Sequence, residues 1–171
     1  MSGTENLGRR LRLGMVGGGR DAFIGGVHRI AARIDDRYEL VAGALSSSPD
    51  KAKASGADLL LAADRAYGSY EEMAKAEAAR DDGIDAVAIV TPNHAHFGPA
   101  KAFLDAGIHV ICDKPLTTTL EDAKALQAAV ESSGLVFGLT HNYTGYPLVR
   151  HAREMVAAGE LGRIRVIQAE Y

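Results

Sequence analysis

The stretch Leu11-Arg-Leu-Gly-Met-Val-Gly-Gly-Gly-Arg-Asp-Ala-Phe-Ile-Gly-Gly-Val-His28 begins as an apolar run, breaks into glycines and resumes with apolar residues at helical spacing. This pattern predicts a β-strand that turns sharply into an α-helix. Glycine backbone at the turn lets an anion approach the helix N-terminus, where unpaired N–H groups and the helix dipole favour negative charge. A tight turn without a ligand would also use glycine, so the rest of the chain has to decide between the two.

The composition is that of a globular chain with one domain and an appendage. The 171 residues are 47% hydrophobic and 24% charged, which is enough apolar material for a buried core. The formal charge of -3 and the scattered Lys and Arg residues provide no basic field for nucleic acid. Residues 1–10 are polar, carry no secretion signal and are expected to form a loose leader.

Two further features bear on the compartment. No apolar run nears the roughly 20 residues that span a membrane, so no membrane partner is expected. Cys112 is the single cysteine, which excludes an internal disulfide. We therefore expect a cytoplasmic protein.

Strand and helix patterns alternate along the chain. Strands are expected at residues 11–16, 38–45, 84–90, 109–112 and 135–140, with a minor one at 65–67. Helices are expected at residues 23–34, 49–56, 69–80, 94–106, 118–133 and 148–158. The run 84–90 is apolar without alternation, as is typical of a strand covered on both faces. The fold class is therefore predicted to be α/β with a doubly wound parallel sheet.

The first helix and the last residues carry more specific expectations. The helix has an apolar face that we expect to pack on the sheet, formed by Phe23, Val27, Ile30, Ala31 and Ile34. The residues expected to point outward are His28, Arg29 and Arg33. Residues 163–171 alternate apolar and polar positions and predict a strand. As a sheet edge, that strand could pair with another copy in a homo-oligomer or remain loose.

Ligands of an open parallel sheet bind outside the carboxyl ends of its strands. Five such ends are polar or glycine-rich and are expected to face one crevice, at residues 17–24, 46–48, 91–96, 113–115 and 141–143. His94 and His96 lie in one of them, but no cysteine or carboxylate cluster completes a ligand set, so no metal is expected.

Four segments of the chain carry a resemblance. They are Val-Gly-Gly-Gly at 16–19, Thr-Pro-Asn-His-Ala-His at 91–96, Ala-Gly-Ile-His-Val-Ile-Cys-Asp-Lys-Pro at 106–115 and Gly-Glu-Leu-Gly at 159–162. In order and spacing they resemble the glucose-fructose oxidoreductase and inositol dehydrogenase family (Gfo/Idh/MocA). The resemblance implies a Rossmann domain that binds a nicotinamide dinucleotide at residues 11–145. It also implies that residues 146–171 are the helix and first strand of an incomplete C-terminal α+β substrate domain.

The resemblance also implies site residues. In that family the lysine of the acidic-Lys-Pro segment lies near the nicotinamide and the reacting hydroxyl, and Lys114 matches it. An ammonium there would polarise a carbonyl or lower the pKa of a secondary alcohol as its hydride leaves, so Lys114 is the expected catalytic residue. The expected cofactor-binding residues are Gly17, Gly19, Arg20, Phe23, Ile24, Gly25, Ser46, Ser47, Ser48, Lys51, Thr91, Pro92, Asn93, His96, Asp113, Lys114 and Pro115. His141, Asn142 and Tyr143 are expected on the substrate side, with a strand-capping role for His141 and a packing role for Tyr143 left open.

The sequence departs from the family pattern in three places. Asp113 replaces the usual glutamate, which keeps the charge and shortens its reach. Ala22 fits the glycine fingerprint literally, but in the family the third small residue is usually followed three positions later by a histidine. Gly25 and His28 have this spacing, which favours Gly25 as the helix-packing position. We therefore expect a lengthened phosphate loop over residues 17–25. Asn142 lacks the arginine that often follows it, which puts one substrate or inter-domain contact in doubt.

The end of the second strand bears on cofactor choice. An acidic residue there would bind the ribose 2′-hydroxyl and repel a 2′-phosphate. This chain has Ser46, Ser47, Ser48 and Lys51 instead, with Arg20 in the neighbouring loop, although serines also cap helices for structural reasons. We expect NADP(H) to bind at least as well as NAD(H).

The resemblance thus implies the cofactor-binding part of an oxidoreductase that transfers a hydride to or from a secondary hydroxyl or keto group of a sugar, inositol or related polyol. No Asp-x-x-x-His-type segment follows the last sheet strand, so the chain alone is expected to bind cofactor with little or no turnover. A dinucleotide sensor or interaction module without chemistry is the alternative. A methyltransferase with an adenosyl cofactor is disfavoured by the acidic-Lys-Pro segment.

Overall fold

The computed structural model describes residues 8–170, so most of the predicted leader lies outside the described residues. The strands are β1 (Leu11–Gly17), β2 (Tyr38–Ala44), β3 (Ala86–Val90), β4 (His109–Asp113) and β5 (Phe137–Thr140). The helices are α1 (Phe23–Ile34), α2 (Pro49–Asp58), α3 (Tyr70–Ala78), α4 (Phe97–Asp105), α5 (Leu120–Ser133) and α6 (Pro147–Ala157). Short 3₁₀ turns cover Ala63–Arg65, Asn93–Ala95 and Asn142–Gly145. The predicted alternation of strands and helices is confirmed.

The five strands form one parallel sheet in the order β2-β1-β3-β4-β5. Val16 of β1 lies between Ala44 of β2 and Ile89 of β3. The chain runs from β1 to β2 in one direction and from β3 to β5 in the other, so the strand order reverses between β1 and β3. A reversal of this kind opens a crevice at the carboxyl ends of the strands, where α/β proteins bind their ligands.

The sheet is packed on both faces, as the unbroken apolar run of β3 predicts. Val87 and Ile89 join the larger apolar cluster, together with Met73 of α3 and Phe103 of α4. The alternate β3 residues join the second cluster with β1 and α1 side chains. Successive residues of a strand point to opposite faces, so β3 is buried from both sides.

The predicted orientation of α1 is wrong. Phe23, Ile30 and Ile34 are 84%, 67% and 80% exposed, while Gly25 is buried. The reason is that the start of α1 packs backbone against backbone on the glycine turn, which fixes the rotation of the helix. Arg29 and Ala32, four and seven positions after Gly25, then face the sheet. Arg29 donates a hydrogen bond of 2.7 Å to the carbonyl oxygen of Gly18.

Three other expectations are corrected. Residues 163–170 form no strand, because no second strand of the described chain pairs with them. The predicted strand at 65–67 is a 3₁₀ turn followed by a single bridge between Gly43 and Ala66. The helix predicted to start at residue 118 starts at Leu120, because Thr119 is its N-cap residue and Thr119 Oγ1 accepts a hydrogen bond of 3.1 Å from the Asp122 N–H.

The chain divides into two compact units after Thr140. The first unit contains the whole sheet with α1 to α5. The second contains the 3₁₀ turn Asn142–Gly145 and α6, which begins at Pro147, one residue before the predicted start at residue 148. No helix of the described residues is long and apolar enough to cross a membrane.

Candidate functional site

The glycine turn after β1 brings two backbone segments into direct contact. Gly17 and Gly18 have φ angles of 79° and 72°, in the left-handed region that glycine adopts without strain. A Cβ on Gly25 would lie 2.4 Å from the Cα of Gly18, so neither position has room for a side chain. Ala22 is the residue before the first turn of α1. The structure therefore places Gly25, and not Ala22, at the packing position.

The remainder of the loop is fastened to β2 and α2. The Gly19 N–H donates to the carbonyl oxygen of Leu45 at 3.1 Å, and the Arg20 N–H donates to Ser55 Oγ at the same distance. Ser55 is buried and its hydroxyl donates to the carbonyl oxygen of Lys51 at 2.7 Å. Backbone N–H groups of the loop are thus bonded to the end of β2 and to α2.

A cavity of about 700 Å³ lies at the carboxyl ends of β1, β2 and β3. This volume is in the range of about 300–1,000 Å³ that small-molecule sites occupy. The expected cofactor-binding residues that line it are Gly17, Arg20, Ser46, Ser47, Lys51, Thr91 and Pro92. The cavity therefore joins the phosphate loop, the serine segment after β2 and the turn after β3, as the strand-end argument predicts.

One wall of the cavity was missed by sequence reasoning. Gly68, Ser69, Tyr70 and Glu71 line it from the start of α3. The Tyr67 N–H donates to the carbonyl oxygen of Gly43 at 2.9 Å, which brings this segment beside the end of β2. The available signal was the capping box of α3, in which Ser69 Oγ accepts from the Glu72 N–H at 3.2 Å. It marks a helix start, whereas the ligand-binding edge of a parallel sheet is expected from its strand ends.

A second, more open hollow of about 470 Å³ lies beside the same loop. Gly19 and Phe23, both expected to bind cofactor, line this hollow and not the larger cavity. Arg20 lines both spaces. Ile24 packs into the smaller apolar cluster.

Two ion pairs hold the cations at this end of the site. Arg20 forms a bidentate contact with Asp58, with Nε–Oδ2 at 2.5 Å and Nη2–Oδ1 at 2.8 Å. Hydrogen bonding from Arg20 holds the pKa of Asp58 below its usual value. Lys51 Nζ lies 3.0 Å from Asp21 Oδ2. Both cations that were expected near a 2′-phosphate therefore have carboxylate partners.

The carboxylate of Asp113, at the end of β4, is held by two neighbours. Thr140 Oγ1 donates to Asp113 Oδ1 at 2.5 Å, and His28 Nε2 lies 3.8 Å from the same oxygen. Burial lowers the pKa of His28, and the nearby Asp113 carboxylate offsets part of that effect. The expectation that His28 points outward is wrong, because the rotation of α1 set by Gly25 turns it inward.

Lys114 and Pro115 follow in an exposed turn. The peptide bond between them is cis. Among the described residues no carboxylate pairs with the Lys114 amino group, which stays available to a bound molecule.

His96 occupies a different place from the one expected. It immediately precedes α4, but its side chain is only 1% exposed. Nδ1 lies 2.6 Å from the carbonyl oxygen of Pro115, and Nε2 lies 3.0 Å from that of Thr91. The imidazole thus contacts both the turn after β3 and the turn after β4, and it is not among the residues that line the cavity.

The remaining expected residues lie at element ends. Ser48 is the N-cap residue of α2, and its N–H donates to Ser46 Oγ at 3.2 Å. Asn93 is exposed in the 3₁₀ turn before α4. In the second unit the carbonyl oxygen of His141 accepts from the Thr144 N–H at 3.0 Å, and the rings of Tyr143 and Tyr146 meet edge to face at 5.5 Å. A substrate contact of His141, Asn142 or Tyr143 stays a prediction.

The geometry fits a dinucleotide. The Gly18–Gly25 contact leaves bare backbone where a diphosphate would approach, and the first turn of α1 carries no acidic residue that would repel it. Ser46, Ser47 and Lys51 provide hydrogen-bond donors elsewhere in the same cavity. Fold and site together define a dinucleotide-binding domain of the Rossmann type.

Comparison with known proteins gives the family. The model of an oxidoreductase family with an NAD-binding Rossmann fold, Gfo/Idh/MocA, matches residues 11–141. The chain belongs to this family. It is 38% identical over its whole length to the uncharacterized oxidoreductase YfiI of Bacillus subtilis and 34% identical over 95% of its length to levoglucosan dehydrogenase of Pseudarthrobacter phenanthrenivorans. It covers 44% and 41% of those two proteins, and so spans less than half the length of these relatives.

Solved structures agree with the fold. An oxidoreductase from Sinorhizobium meliloti is 64% identical with a TM-score of 0.88, over 92% of this chain and 44% of that one. An inositol dehydrogenase homolog from Azotobacter vinelandii, complexed with NADH and myo-inositol, is 44% identical with a TM-score of 0.88, over 92% of this chain and 41% of that one. The chain is therefore an NAD-binding Rossmann domain of an oxidoreductase family.

Proposed function

We propose that the chain is the cofactor-binding part of an NAD(P)-dependent oxidoreductase that acts on a secondary hydroxyl or keto group. The observation that carries the proposal is the cavity of about 700 Å³ where the strand order reverses, with a glycine turn too tight for side chains at its edge. Family membership supports the same conclusion. The nicotinamide, when bound, supplies or accepts a hydride.

Lys114 is the proposed catalytic residue. Its amino group is exposed at the end of β4 and has no carboxylate partner among the described residues. As an ammonium it would donate a hydrogen bond to the oxygen of a keto substrate, or stabilise the alkoxide character of an alcohol during oxidation. Asp113, held by Thr140 and His28, fixes the strand end that carries the lysine.

The proposed substrate class is a sugar, inositol or related polyol. It is supported by the resemblance to a levoglucosan dehydrogenase and to an inositol dehydrogenase homolog complexed with myo-inositol. Residues 11–145 are the proposed cofactor domain, and His141, Asn142 and Tyr143 the proposed substrate-side residues. Because the chain spans less than half of its relatives, we propose that it binds cofactor alone with little or no turnover.

The proposal includes NADP(H) bound at least as well as NAD(H). Ser46 and Ser47 line the cavity directly after β2, where residues 45–48 include no carboxylate, and Lys51 lines it further along the chain. A carboxylate there would accept a ribose 2′-hydroxyl and repel a 2′-phosphate. A cytoplasmic location without nucleic-acid partners is also proposed, supported by the formal charge of -3.

The test measures binding and turnover on the same sample. NADH and NADPH are titrated into the chain while nicotinamide fluorescence is followed. The oxidised cofactors are then mixed with the chain and either myo-inositol or levoglucosan, and formation of reduced nicotinamide is recorded. We expect saturable binding and no turnover above the buffer blank. Sustained oxidation of a polyol by this chain would overturn the inactivity, and absence of binding would overturn the function.

A further inference from the structure

We propose that Asp58 and Asp21 are specificity-determining residues that limit the preference of this site for NADP(H) over NAD(H). The inference rests on the proposed function, because it concerns the choice between two dinucleotides in the same cavity. The observation behind it concerns the two cations that line the cavity, Arg20 in the phosphate loop and Lys51 after β2. Each of them forms an ion pair with a carboxylate.

Arg20 is the cation whose ion pair is bidentate. Its backbone N–H donates to Ser55 Oγ at 3.1 Å, independently of the side chain. The guanidinium uses Nε and Nη2 on the two oxygens of Asp58, which is the same bidentate geometry that arginine uses with a phosphate. A phosphate and Asp58 therefore compete for the same two donors. Both side chains are about half exposed, 51% and 48%, so the exchange needs no unfolding of the site.

Lys51 and Asp21 repeat the arrangement on the neighbouring side of the loop. Lys51 lines the cavity together with Ser46 and Ser47, and its amino group lies 3.0 Å from Asp21 Oδ2. Asp21 has a φ of 67°, and its carboxylate is 86% exposed. The lysine amino group has three donors and keeps capacity for a further acceptor. The carboxylate lowers the local positive potential that a phosphate would meet.

The two cofactors differ only at the 2′ position, so the carboxylates act on them unequally. A 2′-phosphate carries close to two negative charges and has to compete with Asp58 for Arg20 while it is repelled by both carboxylates. A neutral 2′-hydroxyl meets neither effect, because it takes one hydrogen bond from a serine or leaves the ion pairs in place. Removal of either carboxylate should therefore strengthen NADPH binding and leave NADH binding nearly unchanged.

The test titrates NADH and NADPH into the wild-type chain and into Asp58→Asn, Asp21→Asn and the double variant. The control is Asp50→Asn, which removes one negative charge from the first turn of α2, where Asp50 holds no cation among the described residues. Asp58→Asn and Asp21→Asn are each expected to raise NADPH affinity about five-fold, with NADH affinity constant within about two-fold. The control is expected to leave both affinities within about two-fold.

A complementary variant keeps the inference falsifiable if a carboxylate substitution perturbs the loop. Arg20→Gln is expected to weaken NADPH about ten-fold and NADH by less than about two-fold. An unchanged NADPH-to-NADH ratio in Asp58→Asn and Arg20→Gln, or an equal change for both cofactors, would overturn the inference. Absence of binding of both cofactors to the folded wild-type chain would instead refute the proposed function, so the two failures are distinguishable.

Discussion

His96 Nδ1 lies 2.6 Å from the carbonyl oxygen of Pro115, and the other ring nitrogen lies 3.0 Å from the carbonyl oxygen of Thr91. A side chain that starts α4 therefore joins the turn after β3 to the turn that carries Lys114. An imidazolium donates both bonds, and a neutral ring donates only one of them. The ring is buried, so water does not replace a lost partner easily.

Replacing His96 by phenylalanine should loosen both turns. It removes the imidazole donor that lies between the two carbonyl oxygens, at a cost of about 1–3 kcal/mol in the free energy of unfolding. Urea unfolding monitored by circular dichroism measures it. The control is His151→Phe, since His151 is exposed on α6. Equal stability of His96→Phe and the wild type would contradict the joining role.

The buried charge network beneath the α3 wall should be a second sensitive point. Glu77 accepts hydrogen bonds from Arg65, from the Tyr67 hydroxyl at 2.7 Å and from the Ile84 N–H at 3.1 Å. Glu77→Gln leaves the Arg65 guanidinium without its fully buried counter-charge, which should cost about 3 kcal/mol. Thermal unfolding is the measurement. Glu131→Gln, on the exposed face of α5, is the matched control and should change little; a loss in both variants alike would refute the assignment.

Cys112 provides a pH-dependent prediction. Burial raises the pKa of its thiol to about 12, and the neighbouring Asp113 carboxylate adds to the effect. In the unfolded chain a thiol loses its proton near pH 8.5. Above that pH the folded state holds more protons than the unfolded state, so stability falls as pH rises toward about 12.

The measurement compares the pH dependence of unfolding of the wild type with that of Cys112→Ala. The stability advantage of the wild type should be constant below about pH 8 and should shrink above about pH 9. Cys112 is the single cysteine, so any labelling by a thiol reagent reports on it alone. Because it is buried, the reagent should react only after unfolding. Rapid labelling of the native chain, or parallel curves for the two proteins, would contradict the burial.

The orientation of α1 differs between the structure and the sequence prediction, and substitutions on its apolar face can distinguish the two. Ile30 and Ile34 are exposed, so Ile30→Gln and Ile34→Gln should each change the free energy of unfolding by no more than about 0.5 kcal/mol. Phe103→Ala, in the core, should cost about 3–5 kcal/mol. Chemical denaturation measures all three. If the isoleucine variants lost as much as the Phe103 variant, the apolar face of α1 would have to pack on the sheet.

Features that depend on a local sequence pattern could be predicted from the sequence, whereas features that depend on contacts between separate segments could not. The apolar run of β3 and the helix predicted from residue 69 are local patterns, and the structure confirms both elements. The rotation of α1 depends on a contact between Gly18 and Gly25 that a helical-periodicity argument ignores, because glycine contributes no hydrophobicity. The strand predicted at residues 163–171 had the right alternation, but its described part, residues 163–170, has no pairing partner among the described residues.

The candidate site divides in the same way. The residues after β1, β2 and β3 were predicted because parallel strands align their carboxyl ends at one edge. The wall of Gly68 to Glu71 depends on a tertiary bond from Tyr67 to Gly43, which no local pattern contains. The inward positions of His28 and His96 likewise depend on partners distant in sequence, Asp113 and Pro115.

The location of the dinucleotide in the cavity at the ends of β1, β2 and β3 is tested most directly by amide hydrogen exchange with and without saturating NADPH. We predict slower exchange at residues 16–20, 44–47, 68–71 and 90–95, which line or border that cavity. Exchange in α5, residues 120–133, should be unchanged and serves as the internal control. Slower exchange confined to other segments, or none at saturation, would contradict the assignment of this cavity as the cofactor site.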